Sequence, residues 1–230
     1  MKIVSNTKQI ERNVKITKYV TFGSLLILGV GIYFSLTQQD KPNTVYITFS
    51  TLVIGFILSQ ISIYMQVRWG KSPRPDESIT AQLKGLDDKY TLYIYTSPLP
   101  FLIVSTNGIW GLITYHQEGT ITYTKDKWHQ RGGNVFRKLF GADKLGRPDL
   151  DHRNQQADYF RSFAKIAPGF DMPPLNTALV FTHPTVSIDA ENAPLPTIPI
   201  KKLKELVRKK SKNEAIAPET IAYINALLVK

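Results

Sequence analysis

The 230-residue chain contains no cysteine, and this absence removes several classes of chemistry. Disulfide frameworks, thiolate nucleophiles and cysteine-based zinc sites are all excluded. Histidine is also scarce: there are four, and none has H-x-x-x-H or H-E-x-x-H spacing, so the sequence predicts no metal site of that kind. Neither G-x-x-x-x-G-K-[ST] nor G-x-S-x-G occurs. The sequence therefore shows no P-loop for nucleotide binding and no motif for serine-hydrolase chemistry.

Charge is missing from two apolar runs near the amino terminus, Tyr19–Leu36 and Val45–Val67. A helix needs about 20 apolar residues to cross a bilayer core, so the runs predict a transmembrane helical hairpin over 19–67. No ionisable side chain inside them marks an ion path, which favours an anchor over a channel. The glycines expected to let the two helices approach closely are Gly23, Gly29, Gly31 and Gly55.

Two alternatives to a transmembrane hairpin fit the apolar runs less well. Buried helices of a soluble core normally keep a polar stripe, which these runs lack. A cleaved signal peptide would begin earlier, carry a small-residue cleavage site and not be followed at once by a second run.

Basic residues flank the predicted hairpin on both sides. Residues 1–74 carry a net charge of +7 and residues 75–230 carry +4. The positive-inside rule predicts a membrane protein with two transmembrane helices and both termini in the cytoplasm. The same cations would attract anionic membrane lipid. They are Lys2, Lys8, Arg12, Lys15 and Lys18 before the hairpin, and Arg68, Lys71 and Arg74 after it.

The predicted organisation has four parts. Residues 1–18 form a basic cytoplasmic tail, in which the spacing of Ile3, Ile10 and Val14 predicts a weak amphipathic helix. The hairpin follows over 19–67, then a linker over 68–75 and a cytoplasmic α+β domain over 76–230. In the domain we expect a helix over Asp76–Leu86 and an antiparallel meander with an Asn107-Gly108 turn. The predicted meander strands are Tyr90–Tyr95, Phe101–Ser105 and Ile109–Tyr115, continued by Ile121–Tyr123.

The second half of the domain is predicted to alternate loops with helices. Lys125–Arg153 is expected to be a long surface loop with a short helix at its centre. The elements expected after it are a helix over Asp151–Ile166, a buried strand over Leu175–Thr182, an irregular Pro-rich segment over Thr185–Pro199, a basic amphipathic helix over Ile200–Lys210 and a last helix from Ala217.

Several stretches resemble the nuclease-related domain (NERD) family, a branch of the PD-(D/E)xK nuclease-like fold. Leu102–Ile121 resembles the family's strand, turn and strand, Trp128 resembles a Trp that often follows, and Gln155 and Gln156 lie on a helix similar to its Gln-bearing helix. Ala217–Leu228 resembles the last helix. The resemblance covers about residues 77–230 and implies a restriction-endonuclease-like mixed sheet flanked by helices.

The family's catalytic positions fall on residues that do not suit its chemistry. Its metal-binding Asp corresponds to Pro100, its Glu to Thr114 and its Lys to His116. Mg²⁺ takes hard oxygen ligands from clustered carboxylates, which these residues do not supply. We therefore expect a degenerate, inactive site without cofactor. The alternative is a divergent Mg²⁺-dependent nuclease that uses carboxylates elsewhere, with Glu77, Glu118 and Asp149 as the candidates.

A basic surface is the remaining candidate for binding. Its members are Lys125, Lys127, Trp128, Arg131, Arg137, Lys138, Lys144, Arg147 and Arg153. Three interpretations stay open: nucleic-acid binding with aromatic stacking, contact with anionic lipid or a protein partner, and a charged loop packed on its own domain. The sequence thus predicts a membrane-anchored cytoplasmic scaffold or interaction protein with an inactive nuclease-like domain. The alternative is a membrane-tethered nucleic-acid-binding protein or nuclease.

Overall fold

A computed structural model of the protein describes residues 1–37, 43–133, 138, 145–209 and 215–228. Two units can be distinguished along the chain. The helical unit spans Lys8–Arg74. The α/β unit combines Met1–Thr7 with the described residues of Pro75–Asn134 and Asp143–Lys230.

Both apolar runs are helical, as predicted. Helix α1 spans Thr7–Thr37 and helix α2 spans Thr44–Met65, which continues into a π-helical turn over Gln66–Gly70. An 18-residue window in α1 has a mean hydropathy of 1.8, and one in the helical run that begins at Thr44 has 1.7. Only 11% of each window is buried. The chain therefore has two helices that are long and apolar enough to cross a membrane.

A seam of small residues joins α1 to α2. The buried residues of α1 recur every seven residues and are Ile10, Thr17, Ser24 and Gly31. In α2, the buried residues Gly55 and Ser62 are also seven residues apart. A seven-residue repeat keeps one helix face toward its partner. Of the four glycines expected at the contact, Gly31 faces Thr51 and Gly55 faces Leu28. Among the described residues, no atom lies within 4 Å of a Cβ added to Gly23 or Gly29. That part of the prediction is wrong, because those two glycines lie off the seam.

Gly31→Leu should separate the two helices, because a Cβ at this position would clash with Thr51 Oγ1. Gly29→Leu is the matched control, since it adds the same side chain where there is open space. SDS-induced unfolding of the full chain from mild detergent, followed by circular dichroism, measures the effect. We expect a loss of about 1–3 kcal/mol for Gly31→Leu and less than about 0.5 kcal/mol for Gly29→Leu. Equal losses would contradict the seam.

The α/β unit is built on two sheets. Its strands are β1 (Lys2–Ser5), β2 (Thr91–Ile94), β3 (Phe101–Ser105), β4 (Gly108–Tyr115), β5 (Thr120–Thr124), β6 (Lys127–Arg131), β7 (Leu175–Phe181), β8 (Ser187–Asp189) and β9 (Thr197–Pro199). Its helices are α3 (Pro75–Leu83), α4 (Pro148–Ile166), α5 (Leu203–Arg208, preceded by a 3₁₀ turn over Ile200–Lys202) and α6 (Pro218–Leu228).

The larger sheet has the order β1-β2-β3-β4-β7-β9. The predicted meander is present, since β2, β3 and β4 pair antiparallel and Ser105 lies opposite Gly108 across the Thr106-Asn107 turn. Strand β7 then pairs in parallel with β4, which requires a crossover, and α4 lies between the two strands in the chain. The prediction that the domain contains a mixed sheet is therefore confirmed.

The first residues form a strand where a weak amphipathic helix was predicted. Strand β1 pairs in parallel with β2, with Lys2 opposite Thr91 and Ser5 opposite Ile94. Val4 packs against the domain core, whereas Ile3 is 44% exposed. The helical spacing of Ile3 with Ile10 is therefore not used, because α1 begins only at Thr7.

The predicted basic loop also contains regular structure. Strand β5 does not continue the meander but lies in a second sheet of order β6-β5-β8, and Lys127–Arg131 is a strand of that sheet. Helix α4 begins at Pro148, three residues before the predicted Asp151. The segment Thr185–Pro199, predicted to be irregular, contains β8 and β9. These strands were missed because they are short or carry few apolar residues.

The main core lies between the larger sheet and helices α4 and α6. Tyr159 and Phe163 of α4 and Ile224 of α6 are fully buried against strand residues such as Leu102 and Ile109. Because side chains alternate along a strand, Trp110 and Leu112 point to the opposite sheet face. That face is also covered, since these two residues are 6% and 1% exposed.

Val4→Asp should destabilise the α/β unit, because it places a carboxylate against the core. Ile3→Asp is the matched control, since it changes the β propensity of the same strand at an exposed position. We expect a loss of about 1–3 kcal/mol in the free energy of unfolding for Val4→Asp and about 0.5 kcal/mol or less for Ile3→Asp. Urea denaturation of the full chain in detergent, followed by tryptophan fluorescence, measures both. Similar losses would mean that β1 is not part of the folded sheet.

Candidate functional site at the carboxyl ends of β4 and β7

Two parallel strands end side by side at one edge of the larger sheet. Tyr115, the last residue of β4, lies opposite Phe181, the last residue of β7. The Thr182 backbone N–H donates to the Tyr115 carbonyl at 2.8 Å, so the pairing continues one residue beyond the strands. The loops that follow each strand therefore start next to each other, and both begin with polar residues.

His116 is fixed by a hydrogen bond to the neighbouring loop. Its Nδ1 lies 2.9 Å from Thr182 Oγ1, and the Thr182 hydroxyl itself donates to the Tyr115 carbonyl at 3.1 Å. Because the single hydroxyl proton is used in that second bond, Thr182 Oγ1 accepts from His116. The Nδ1 of His116 therefore carries a proton.

His183 adds an imidazole that the sequence did not single out. Its ring lies 5.0 Å from that of His116, at an interplanar angle of 66°. The Thr185 backbone N–H donates to His183 Nδ1, so the ring proton of the neutral form is on Nε2, which faces Glu118 Oε1 at 3.3 Å. The cluster His116, Thr182, His183 and Glu118 thus links the two loops through the His116–Thr182 hydrogen bond and the contact of His183 with Glu118.

The predicted degenerate positions lie at the same sheet end. Thr114 is the penultimate residue of β4, and Pro100 comes immediately before β3, which runs antiparallel to β4. The Pro100 carbonyl accepts from the Tyr95 N–H at 2.9 Å, and its ring offers no ligand. Glu77 lies apart in sequence, in the first turn of α3. Across the described residues, no group of three His, Asp or Glu side chains is placed to hold a metal ion.

Tyr115 points to the other face of the sheet, toward α4. Its hydroxyl donates to Asp151 Oδ2 at 2.5 Å, and its ring stacks on Phe181 with centroids 5.3 Å apart. Burial raises the pKa of Tyr115 well above its ordinary value, and the bond to Asp151 raises it further. The neighbouring acid, Asp149, accepts from the Trp128 indole N–H at 3.1 Å. Both acids in the first turn of α4 are therefore used to attach it to the two sheets.

The second sheet places members of the predicted basic surface on different faces. Lys127 and Arg131 are exposed on β6, where His129 lies between them on the same face, and Lys125 is exposed at the preceding turn. Trp128 points inward and contacts the Tyr123 ring at 4.9 Å, so it is not on the exposed basic face.

The remaining members of the basic surface lie elsewhere. Arg147 precedes α4, and Arg153 Nε donates to the Asp149 carbonyl at 3.3 Å. Lys138 is half-buried, and Arg137 and Lys144 lie outside the described residues.

Comparisons with protein-family models, with curated proteins and with solved structures find no match for this chain.

Tyr115→Phe should weaken the domain at neutral pH and change its response to alkali. Loss of a hydrogen bond to a half-exposed carboxylate should cost about 1–2 kcal/mol at pH 7. The raised pKa of Tyr115 means that above about pH 10 the unfolded chain releases a proton that the folded chain retains, so stability falls as pH rises. Each such group contributes a slope of up to about 1.4 kcal/mol per pH unit. Urea denaturation between pH 8 and 11 should therefore give a shallower decline for the variant, and parallel declines would contradict this assignment.

Proposed function

We propose that the hairpin of α1 and α2 anchors the protein in a membrane and that the α/β domain serves there as a cytoplasmic scaffold or interaction module. The observation that carries the proposal is the reversed burial pattern of the hairpin. Apart from Ile10, its buried side chains are small or polar, whereas most of its large apolar side chains are exposed.

The reversal is pronounced along both helices. Thr17, Ser24 and Ser62 are 1%, 3% and 5% exposed, whereas Phe22 and Phe49 are 71% and 68% exposed. In water this arrangement would leave a large apolar surface uncovered, which soluble proteins avoid. In a bilayer, lipid tails cover the apolar side chains, and small residues let the two helices approach. The burial pattern therefore supports a lipid environment more directly than hydropathy alone.

Exposed tyrosines mark two levels along the hairpin. Tyr19 and Tyr64 lie toward the end where Thr21 contacts Ser62, and Tyr33 and Tyr46 lie toward the other end. At 1.5 Å per residue the levels are separated by about 21 Å on α1 and about 27 Å on α2. Tyrosine is enriched at the two interfaces of a bilayer whose apolar core is about 30 Å thick. The spacing therefore supports a hairpin that spans the membrane.

Chain connectivity supports the proposal that both ends of the hairpin lie on the same side of the membrane. Strand β1 precedes α1 and yet pairs with β2, which follows α2. The segments before and after the hairpin thus belong to one folded unit, which cannot be divided by a bilayer. The basic flanks Lys15, Lys18 and Arg68 favour the cytoplasmic side.

The domain supports binding more than catalysis. Helix α3, strands β2 to β4, helix α4 and strand β7 follow one another in the order on which the resemblance to the PD-(D/E)xK fold is based, with β5 and β6 between β4 and α4. At its catalytic positions Pro100, Thr114 and His116 supply no carboxylate. Two of the acids considered for a migrated site have other partners, since Glu118 faces His183 and Asp149 accepts from Trp128. An interaction role therefore needs fewer assumptions than a divergent nuclease.

The absence of native cysteine makes the topology directly testable. Gln39→Cys places a unique thiol in the stretch of sequence that connects α1 to α2, and Glu191→Cys places one on an exposed position of the domain. In intact cells, a membrane-impermeant maleimide should label the Gln39→Cys variant but not the Glu191→Cys variant. After permeabilisation of the cells, it should label both variants. Both variants should remain in the membrane fraction after alkaline carbonate extraction.

Release of the chain by carbonate would overturn the membrane anchor. Labelling of both cysteines in intact cells, or of Glu191→Cys alone, would overturn the cytoplasmic orientation while leaving the anchor intact. Cysteine-free protein serves as the background control for labelling.

A further inference from the structure

Helix α5 and the 3₁₀ turn before it present a dense row of cations. Leu203 and Val207 are fully buried, which fixes the face that the helix turns to the domain. The outward residues of this basic face are Lys201, Lys202, Lys204, Glu205, Arg208 and Lys209, a net charge of +4 within nine residues. Most of them line a shallow depression.

Internal contacts use only part of this charge. Glu205 pairs with Lys209 at 3.1 Å, and Lys204 Nζ donates to the Lys84 carbonyl at 2.7 Å. Lys201, Lys202 and Arg208 remain exposed, and the described residues include no carboxylate paired with them. The Lys204 contact holds α5 beside the end of α3, so the cations have a fixed support.

The chemistry of the basic face suits phosphate groups without bases. The described residues that line it include no aromatic side chain, whereas proteins that bind single-stranded nucleic acid combine cations with stacking rings. Clustered lysine and arginine beside a membrane segment are typical of attraction to anionic headgroups.

Connectivity brings such headgroups within reach. Helix α3, against which α5 packs, starts at Pro75, and only residues 71–74 separate it from the helical turn that ends at Gly70. Four extended residues span at most about 14 Å, and the nine residues of α3 add about 13 Å. Tethering at this range gives the membrane surface a high effective concentration.

We propose that the basic face of Ile200–Lys209 docks on anionic phospholipid headgroups of the membrane that holds the hairpin. The inference rests on the proposed membrane anchor. The docked face adds a second, salt-sensitive attachment to the permanent one supplied by the hairpin.

Lysine footprinting of the full chain tests this docking. The protein is reconstituted into nanodiscs of phosphatidylcholine alone or with one-third phosphatidylglycerol, and acetylation of each lysine by an N-hydroxysuccinimide ester is followed by mass spectrometry. Lys201 and Lys202 should react at least about tenfold more slowly in the anionic nanodiscs, and salt should remove the protection. Lys89 and Lys165, exposed elsewhere in the domain, are internal controls and should change less than about twofold.

A charge variant supplies the matched comparison. Lys201→Gln, Lys202→Gln and Arg208→Gln together should weaken docking by roughly a hundredfold, read as loss of Lys209 protection. Lys89→Gln, Arg161→Gln and Lys165→Gln remove as much charge at exposed positions elsewhere in the domain and should leave that protection unchanged.

The outcomes separate this inference from the membrane anchor itself. Chain that enters both kinds of nanodisc but shows equal Lys201 reactivity overturns the docking and leaves the anchor standing. Chain that enters neither overturns the anchor. Protection of Lys201 in neutral nanodiscs by an added single-stranded oligonucleotide, stronger than that by anionic lipid, would show a nucleic-acid surface and overturn the lipid assignment.

Discussion

The pairing of β1 with β2 determines how the parts of this chain are connected. Lys2 lies opposite Thr91, so the contact joins residues separated by the whole helical hairpin. Closing so long a loop costs conformational entropy, although the cost rises only slowly with length. Folding of α1 and α2 against each other shortens the effective loop, because their antiparallel course returns the chain to its starting side. Pairing of β1 and formation of the hairpin therefore favour each other.

A second parallel pairing brings together the polar cluster at the sheet edge. His116 and His183 are far apart in sequence and meet because β4 and β7 end in register. The Thr182 hydroxyl then sets the proton position on His116, and the Thr185 N–H sets that on His183, whose Nε2 faces Glu118. The result is a connected donor and acceptor network without the clustered carboxylates that would hold Mg²⁺.

Sequence patterns predicted elements better than their partners. Apolar periodicity located the two long helices, the β2–β4 meander and β7, because each buries a continuous apolar face. It missed β6, whose sequence KWHQR carries cations on the outward face of the strand. It also missed β1, which has only four residues and lies at the edge of the larger sheet. Glu118 and His116 were candidates, but His183 was not, since only the parallel register of β4 with β7 places it there. The PD-(D/E)xK resemblance and its mapping to Pro100 and Thr114 stay predictions.

Polar contacts within the hairpin also fix the register of its helices. Thr21 donates its hydroxyl proton to the Thr17 carbonyl, so its oxygen must accept from both Ser62 and Gln66, at 2.7 and 3.0 Å. In an apolar environment each such bond contributes only about 0.6 kcal/mol. Slippage by one turn would nevertheless leave several polar groups unpaired at once, and toward the other end it would move Gly31 away from Thr51. Hydrogen bonds near one end of the pair and close packing near the other thus select the same register, which suits a rigid anchor.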